Sequence, residues 1–287
     1  MTMTTNATED RPSIVIAAGG TAGHVFPGLA LARTLRDRGH VVAFVGTDRG
    51  LESRLVPQAG FAFHAVPARP LLREFSLAAA RAPFVALSAV RACRPIVGKA
   101  RAVVGMGGYA SVSAALAARR DHVPVVLHEQ NAVAGLANRA LARVARAVGL
   151  SFAEARHAFP KRVRIELTGN PVREDILRVP DDREALAKEG RGVLDLDEGR
   201  RTVVIFGGSQ GALHIDRAAV GAARLLAGRA DLQILLIAGP AHLETVRPGL
   251  PPAGATGGGG ILVRLVGYLD RMDLAYACAD LVEEAAA

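Results

Sequence analysis

The stretch AAGGTAGHVFPGLALA, residues 17–32, decides the fold because it joins an apolar strand to a helix through a glycine turn. Glycines in such a turn let a ligand approach the backbone, and the N–H groups that begin the helix can bind an anion. His24 lies inside the turn, so its imidazole can touch whatever binds there. The stretch therefore predicts a ligand site at the end of a strand, with His24 in it.

Two later stretches repeat this pattern of strand, glycines and helix, at residues 102–118 and 203–219. Thr21, Ser111 and Ser209 are candidate helix N-caps or phosphate donors in the three turns. The glycines of any one turn could instead serve only to make the turn tight. Two such turns in different halves of the chain favour a nucleotide or phosphate site between two domains.

Short apolar strands alternate with helical patterns along the whole chain. This arrangement is typical of α/β proteins with parallel sheets covered on both faces. The predicted strands cover residues 13–18, 41–46, 101–107, 123–129, 201–208, 232–239 and 261–269. A polar stretch at 178–201, together with 169–175, indicates the passage into a second domain. We predict a disordered leader at 1–12, an N-terminal domain at 13–170 and a C-terminal domain at 171–287.

Composition excludes several classes of protein. Half of the 287 residues are hydrophobic, which argues against disorder, and no apolar run is long enough to span a membrane. The two cysteines, far apart, predict neither a disulfide framework nor a metal site. A net charge of +8 favours acidic partners such as nucleotides or anionic lipid, although a compositional bias of the genome would also produce it.

Other nucleotide-binding and hydrolytic classes fit less well. The first turn reads G-G-T-A-G rather than G-x-G-x-x-G, and Asp48 comes late for the ribose-binding acid of a dinucleotide-dependent oxidoreductase. No lysine follows a glycine turn as in a P-loop, and no H-E-x-x-H zinc motif occurs.

Six motifs in a fixed order resemble the MurG family of bacterial N-acetylglucosaminyltransferases. They are GGTAGHVFPGLALA (19–32), GMGGYASVSAALAA (105–118), PVVLHEQNAVAGLANR (124–139), LTGNPVRED (167–175), FGGSQGA (206–212) and YLDRMDLAYACADLV (268–282). The resemblance implies a GT-B fold, with two Rossmann-like domains and a cleft between them. It also implies transfer of N-acetylglucosamine from its UDP conjugate to the 4-hydroxyl of the N-acetylmuramoyl unit of lipid I, which gives lipid II.

Such a transfer needs a base for the acceptor hydroxyl and stabilisation of the leaving diphosphate. An inverting reaction needs one displacement and no enzyme nucleophile. His24 suits the base because imidazole titrates near neutral pH, although it could instead only hydrogen-bond the acceptor pyrophosphate or the loop. We expect no essential metal and no cofactor, because no D-x-D arrangement lies in a suitable loop.

The resemblance carries over residue by residue. Thr21, Ala22 and Gly23 would line the nucleotide-sugar site, and the family has glycine where this chain has Ala22. A methyl group is tolerable there if φ is negative. Glu129 and Tyr109 would lie near the acceptor as further catalytic candidates, although Glu129 could instead make structural hydrogen bonds. The remaining donor contacts would be Asn131, Arg173, Ser209 and Leu269. Arg173 could alternatively be an exposed surface arginine.

The segment 68–101 predicts contact with an anionic membrane surface. It mixes seven Lys or Arg residues with apolar side chains and contains one acid. The apolar members are Leu71, Leu72, Phe75, Phe84, Val85 and Leu87. An amphipathic core helix with a basic, solvated face would have a similar sequence pattern. By resemblance we expect a peripheral enzyme on the cytoplasmic face of the plasma membrane, with cell-wall synthesis and division proteins as candidate partners and no nucleic acid.

The C-terminal end departs from the family pattern. After ADLV the chain reads EEAAA, where the family has a glycine-rich helix start with a ribose-binding glutamate; Glu283 and Glu284 are out of pattern. We therefore expect the second domain, and the donor site, to be incomplete. Two alternatives stay open: an inactive chain that keeps acceptor or membrane binding, and a related GT-B transferase with another acceptor.

Overall fold

The computed structural model describes residues 13–67, 77–208, 211–251 and 259–284, except for the side chains of 77–85. The chain divides into two compact units, Met1–Arg173 and Glu174–Ala287. The sequence prediction placed this boundary after residue 170.

The first unit contains a parallel sheet of seven strands in the order β3-β2-β1-β4-β5-β6-β7. The strands are β1 (Ile14–Ala18), β2 (Val42–Gly46), β3 (Ala62–Ala65), β4 (Ala102–Gly107), β5 (Val125–Glu129), β6 (Ala147–Leu150) and β7 (Arg164–Leu167). The central strands are almost entirely buried, as continuous apolar runs in a two-sided parallel sheet should be.

Helices cover both faces of this sheet. They are α1 (Ala22–Asp37), α2 (Glu52–Gln58), α3 (Leu77–Val97), α4 (Gly108–Arg120) and α5 (Leu136–Leu141). Side chains of α1 and α2 pack around Ile16, Phe44 and Met106 on one face. Alanine-rich α4 packs with Cys93 and Val97 of α3 on the other face. No described helix is both long enough and apolar enough to cross a membrane.

The second unit contains a four-stranded parallel sheet in the order β10-β9-β8-β11. Its strands are β8 (Arg201–Phe206), β9 (Leu232–Ile237), β10 (Leu262–Val266) and β11 (Leu281–Glu284), and its helices are α6 (Glu174–Leu177), α7 (Val179–Leu194), α8 (Leu213–Leu225), α9 (Leu243–Val246) and α10 (Met272–Cys278). Leu194, Leu235 and Leu274 lie in the core formed with α7 and α10. Ala219, Ala223 and Leu236 lie in the core on the α8 face.

The seven predicted strands are all present, and every end agrees to within three residues. The sequence prediction missed three strands of the first sheet, β3, β6 and β7, which have four residues each. It also described 178–201 only as a polar passage between domains, whereas α7 occupies most of it. Arg183 holds this helix on α10 by donating to the carbonyl oxygens of Ala277 and Ala279.

Candidate active site

The candidate site lies where β1 and β4 end side by side. These strands are neighbours in the sheet. From β1 the chain continues to β2 and β3 on one side of β1, and it then crosses back to form β4 on the other side. Ligands of open α/β sheets bind at such a switch point, beyond the carboxyl ends of the strands. The register between the two strands shifts at Ala17 and Ala18, where the two glycine turns begin.

His24 is half-buried in the first turn of α1, and its ring is held by the glycine turn. Its Nδ1 lies 3.1 Å from the carbonyl oxygen of Gly19 and 3.2 Å from Oγ1 of Thr21. A carbonyl oxygen can only accept a hydrogen bond, so the contact with Gly19 is a hydrogen bond when Nδ1 carries the proton. In the neutral ring, Nε2 then keeps its lone pair and is free to accept a proton.

The second glycine turn packs against the His24 imidazole ring. Gly107 has φ +112°, and a Cβ atom built on it would lie only 2.6 Å from His24 Nε2. Glycine is required here twice over, because φ is positive and because the imidazole fills the place of a side chain. The structure therefore brings the first two glycine turns of the sequence together around His24.

The prediction that Ser111 caps a helix or binds phosphate is wrong. Gly107 is in the N-cap position of α4, and Ser111 lies buried within the helix. Its Oγ lies 2.6 Å from the carbonyl oxygen of Ala17 and 2.7 Å from that of Gly107, and it accepts from the Gly107 N–H at 3.0 Å. With its hydroxyl fully engaged inside the protein, Ser111 joins β1 to the second glycine turn.

The three predicted donor-site residues of the first turn lie together. Thr21 is in the N-cap position of α1 and exposed, but its side chain makes no capping hydrogen bond, since its hydroxyl lies beside His24. Ala22 begins the helix and is buried, and its φ is not positive, so the methyl group is accommodated without backbone strain. Gly23 is exposed beside Thr21.

Glu129 ends β5, the strand next to β4, and is almost completely buried. Its carboxylate accepts four hydrogen bonds of 3.0 Å: from N and Nδ2 of Asn131, from N of Gly135 and from Nδ2 of Asn138. This geometry matches the structural alternative stated above, because the carboxylate organises the loop 130–135. Its catalytic role stays a prediction.

Asn131 and Tyr109 are exposed where β5 and β4 end. The Asn131 amide nitrogen is held by Glu129, and Asn131 itself is exposed to solvent. Tyr109 is the second residue of α4 and is 42% exposed, so its phenol is accessible to a ligand.

Two basic side chains complete the described site region of the first unit. His128, before Glu129, is buried, and desolvation lowers the pKa of its imidazole below 6.5, so it is neutral at pH 7. Arg173 is half-buried, with its guanidinium carbon 5.3 Å from the centre of the Phe26 ring on α1. The alternative of a freely exposed surface arginine does not fit this stacking.

In the second unit, Leu269 is half-buried and packs against the α7–α10 core. Ser209 lies outside the described residues. Glu283 and Glu284 lie in β11, paired in register with Ile205 and Phe206 of β8.

His242, after β9, contacts the fully buried Asp216 of α8, with Nδ1 and Oδ2 2.9 Å apart. Burial raises the pKa of the Asp216 carboxyl, while the hydrogen bond from His242 opposes this shift.

Sequence reasoning missed Glu52, the first residue of α2. Its side chain is fully buried and reaches the first glycine turn. Asp48, the acid of this turn that the sequence analysis considered, is exposed. The available signal was an acid in a glycine-rich turn, GTDRGLE, directly after the strand that neighbours β1.

The described residues contain no group of three or more His, Cys, Asp or Glu side chains placed to hold a metal ion. A reaction that proceeds without a metal stays a prediction.

Both units match models of one enzyme family. Residues 14–150 match the glycosyltransferase family 28 N-terminal domain, and residues 202–282 match the corresponding C-terminal domain. Together with the two parallel sheets, these matches define a glycosyltransferase, and they confirm the predicted fold class of two Rossmann-like domains.

Full-length relatives narrow the assignment. A protein of Mycobacterium sp. (strain KMS) named UDP-N-acetylglucosamine--N-acetylmuramyl-(pentapeptide) pyrophosphoryl-undecaprenol N-acetylglucosamine transferase is 42% identical over 276 residues, 94% of this chain and 69% of the relative. A protein of the same name from Halothermothrix orenii is 38% identical over 278 residues, 94% of this chain and 72% of the relative. The crystal structure of Acinetobacter baumannii MurG superimposes with a TM-score of 0.64 at 29% identity, covering 95% of this chain and 71% of that one. The chain belongs to this MurG family of N-acetylglucosaminyltransferases.

Proposed function

We propose that this chain transfers N-acetylglucosamine from UDP-N-acetylglucosamine to the 4-hydroxyl of the N-acetylmuramoyl unit of lipid I. The names of the relatives give the donor and the acceptor of this reaction, and the chain spans about 69% of the length of the first of them. The observation that supports the proposal is the position of His24, whose Nδ1 lies 3.1 Å from the Gly19 carbonyl oxygen. A proton on Nδ1 satisfies this contact and leaves Nε2 as the basic atom.

The reaction that we propose is a single inverting displacement. His24 Nε2 takes the proton of the acceptor hydroxyl as the hydroxyl oxygen attacks the anomeric carbon, and the bond from that carbon to the UDP oxygen breaks. The leaving diphosphate departs with the electron pair. General-base catalysis of this kind contributes about 10²–10⁴-fold to the rate.

Other residues take supporting roles in this proposal. Thr21, Ala22 and Gly23 approach the donor through the turn, and Asn131 contacts the sugar from the loop that Glu129 organises. Tyr109 lies on the acceptor side. The donor contacts of Arg173, Ser209 and Leu269 stay predictions.

The test is transfer of labelled N-acetylglucosamine from UDP to a lipid I analogue. It compares this chain with a fusion in which the Mycolicibacterium smegmatis relative, 43% identical to this chain, supplies the residues that follow the matched region. The key variant is His24→Asn, whose amide nitrogen can still donate to Gly19 but which has no base at the position of Nε2. His64→Ala, at an exposed histidine of β3, is the matched control.

We expect transfer to fall at least 100-fold in His24→Asn, within the range of general-base effects, and to be unchanged in His64→Ala. Equal activity of His24→Asn and the parent would show that His24 is not the base. Absence of transfer in both the chain and the fusion would contradict the proposed reaction.

We also propose that the α3 side of the first unit binds anionic lipid at the cytoplasmic face of the membrane. Leu87 on α3 is 47% exposed, Arg91 follows one helical turn later and is exposed, and Leu116 on the adjacent α4 is 41% exposed. Leu71, Leu72 and Phe75 lie outside the described residues, as do the side chains of Phe84 and Val85. Apolar side chains among cations suit the lipid interface.

Co-sedimentation with phosphatidylglycerol vesicles tests this membrane proposal. We expect Leu87→Asp to weaken binding, whereas Leu225→Asp, at a 90% exposed leucine of α8 in the second unit, leaves it unchanged. Equal loss in both variants would show that added negative charge alone is responsible. Equal binding by Leu87→Asp and the parent would contradict the proposed surface.

A further inference from the structure

Glu52 is a buried carboxylate that reaches the first glycine turn from α2. Its Oε2 accepts from the Gly20 N–H at 3.3 Å. Its Oε1 accepts from the Thr47 N–H at 2.9 Å and from the Thr47 hydroxyl at 2.7 Å. These three donors are neutral, and the side chain is fully buried. The carboxylate is therefore held in a fixed position beside the first glycine turn.

The surroundings of Glu52 are built around its side chain. A Cβ atom on Gly46, the last residue of β2, would lie 2.5 Å from Glu52 Cγ, so a residue with a side chain there would displace the carboxylate.

The Gly20 N–H and the Gly19 carbonyl belong to the same peptide group. Glu52 accepts from the N–H side of this group, and His24 Nδ1 donates to its carbonyl side at 3.1 Å. The described residues contain no cis peptide bond, so the N–H and C=O of this planar group point in opposite directions. Whatever fixes the N–H therefore also fixes where the carbonyl oxygen points.

A carboxylate on the N–H side also strengthens the carbonyl as an acceptor. Hydrogen bonds in a chain polarise one another, and the effect is larger in a buried, low-dielectric setting. Glu52 thus favours a proton on the ring nitrogen that faces Gly19.

We propose that Glu52 is a positioning residue that acts on His24 through the Gly19–Gly20 peptide. It holds the neutral imidazole in the tautomer with the proton on Nδ1 and so leaves Nε2 as the basic atom. The catalytic consequence rests on the proposed function, whereas the tautomer itself can be measured without any transfer reaction.

Nitrogen-15 NMR of the histidine rings tests the proposal on the whole 287-residue chain. His24 is assigned by the signals that disappear in His24→Asn, and its tautomer is read from the Nδ1 and Nε2 shifts above pH 7.5. The variants are Glu52→Gln, which keeps one acceptor oxygen, and Glu52→Ala, which keeps none. Glu174→Gln, at an exposed glutamate that begins α6, is the control.

We expect the Nδ1–H form in the parent and in Glu174→Gln, a partial shift toward Nε2–H in Glu52→Gln and a larger shift in Glu52→Ala. A purely structural role would leave the tautomer unchanged in a folded variant. The proposal is overturned if the parent is in the Nε2–H form, or if folded Glu52→Gln keeps the parent's tautomer. Should Glu52→Ala fail to fold, Glu52→Gln alone decides.

Where transfer is measurable, Glu52→Gln should lower kcat by about ten- to a hundredfold, part of the contribution of a general base, with little change in KM for the donor. An unchanged kcat together with a changed tautomer would contradict the catalytic consequence. Absence of transfer by the parent would count against the proposed function and not against the tautomer.

Discussion

Nε2 of His128 lies 3.0 Å from the carbonyl oxygen of Gly169 and therefore donates to it. The other ring nitrogen, Nδ1, accepts from the Gln130 side-chain amide at 3.1 Å. This buried neutral imidazole ties the end of β5 to the loop that follows β7 in the first unit. Both ring nitrogens are engaged, because Nε2 donates and Nδ1 accepts. A second proton would have to bind Nδ1, to which the Gln130 amide already donates.

This arrangement predicts a pH-dependent stability. Burial lowers the pKa of His128 below its unfolded value of 6.5, so below pH 6.5 the unfolded chain binds more protons than the folded one. The stabilising contribution is complete above pH 6.5, falls as the pH drops toward the folded pKa, and changes no further below it. We expect His128→Gln to flatten this part of the profile and to cost about 1–3 kcal/mol at pH 7.5 through unpaired buried groups.

Urea denaturation between pH 4.5 and 8 measures this profile, and His64→Gln, at an exposed histidine, serves as the control. A slope below pH 6.5 that persists unchanged in His128→Gln would assign the dependence to other groups.

A second prediction concerns the contact between Gly107 and His24. In Gly107→Ala the new methyl group would occupy the space of the imidazole and adopt a positive φ. Gly60→Ala is a matched control, because Gly60 also has positive φ, +78°, but has no atom within 4 Å of the built Cβ position. An alanine at positive φ should cost about 1–2 kcal/mol at Gly60 and about 1–3 kcal/mol at Gly107, whose φ of 112° and ψ of 175° are adopted almost only by glycine. Only Gly107→Ala should move the His24 ring signals and reduce transfer. Unperturbed His24 signals in Gly107→Ala would contradict the close approach.

A third prediction uses two glycines of α7. A Cβ atom on Gly190 would lie 2.7 Å from Cys278 Sγ and 2.9 Å from the Leu274 carbonyl oxygen of α10, while nothing lies within 4 Å at Gly192. Gly190→Ala should therefore destabilise the second unit by about 1–3 kcal/mol through overpacking. Gly192→Ala should stabilise it by about 0.5–1 kcal/mol because alanine is the better helix former. Thermal unfolding measures both variants, and the same sign for both would show that α7 and α10 do not approach this closely.

A fourth prediction concerns the two cysteines. Burial raises the pKa of Cys93 to about 12, and burial also raises the pKa of Cys278, whose Sγ lies 3.4 Å from the Ala187 carbonyl oxygen. The reactive thiolate is therefore scarce at pH 8. We expect no reaction of either thiol with Ellman's reagent in the folded chain and rapid reaction of both in guanidinium chloride. Rapid labelling of the folded chain would contradict the burial of the reacting cysteine.

Much of the fold follows from the sequence because its central strands are continuous apolar runs. Val42–Gly46 and Leu232–Ile237 are buried on both sides and therefore show their pattern plainly. Ala62–Ala65 and Arg164–Leu167 form the two edges of the first sheet and are largely exposed, so their residues carry little strand signal. The sequence did not predict helix α7 for a similar reason: few of its side chains are buried, so its apolar pattern is weak.

The sequence predicted the candidate site where a reactive side chain lies next to glycines along the chain, as His24 does. What the sequence could not reveal were partnerships across strands. Glu52 meets Gly20 only because β1 and β2 are neighbours, and Ser111 meets Ala17 only because β1 and β4 are. A motif shows which residues lie in one turn, whereas the sheet decides which turns face each other.

The hydrogen bond from Ser111 to Ala17 spans 94 residues of chain. On the ribosome, the turn that carries His24 is therefore synthesised long before the second glycine turn, which packs against it. At about 5–20 residues per second, the interval is roughly 5–20 seconds. During that time α1 and β1 can form local structure, but the pairing of β1 with β4, which closes around the imidazole, must wait. Formation of the site thus reports on long-range chain assembly, and the His24 ring signals would serve as a late marker in a refolding experiment.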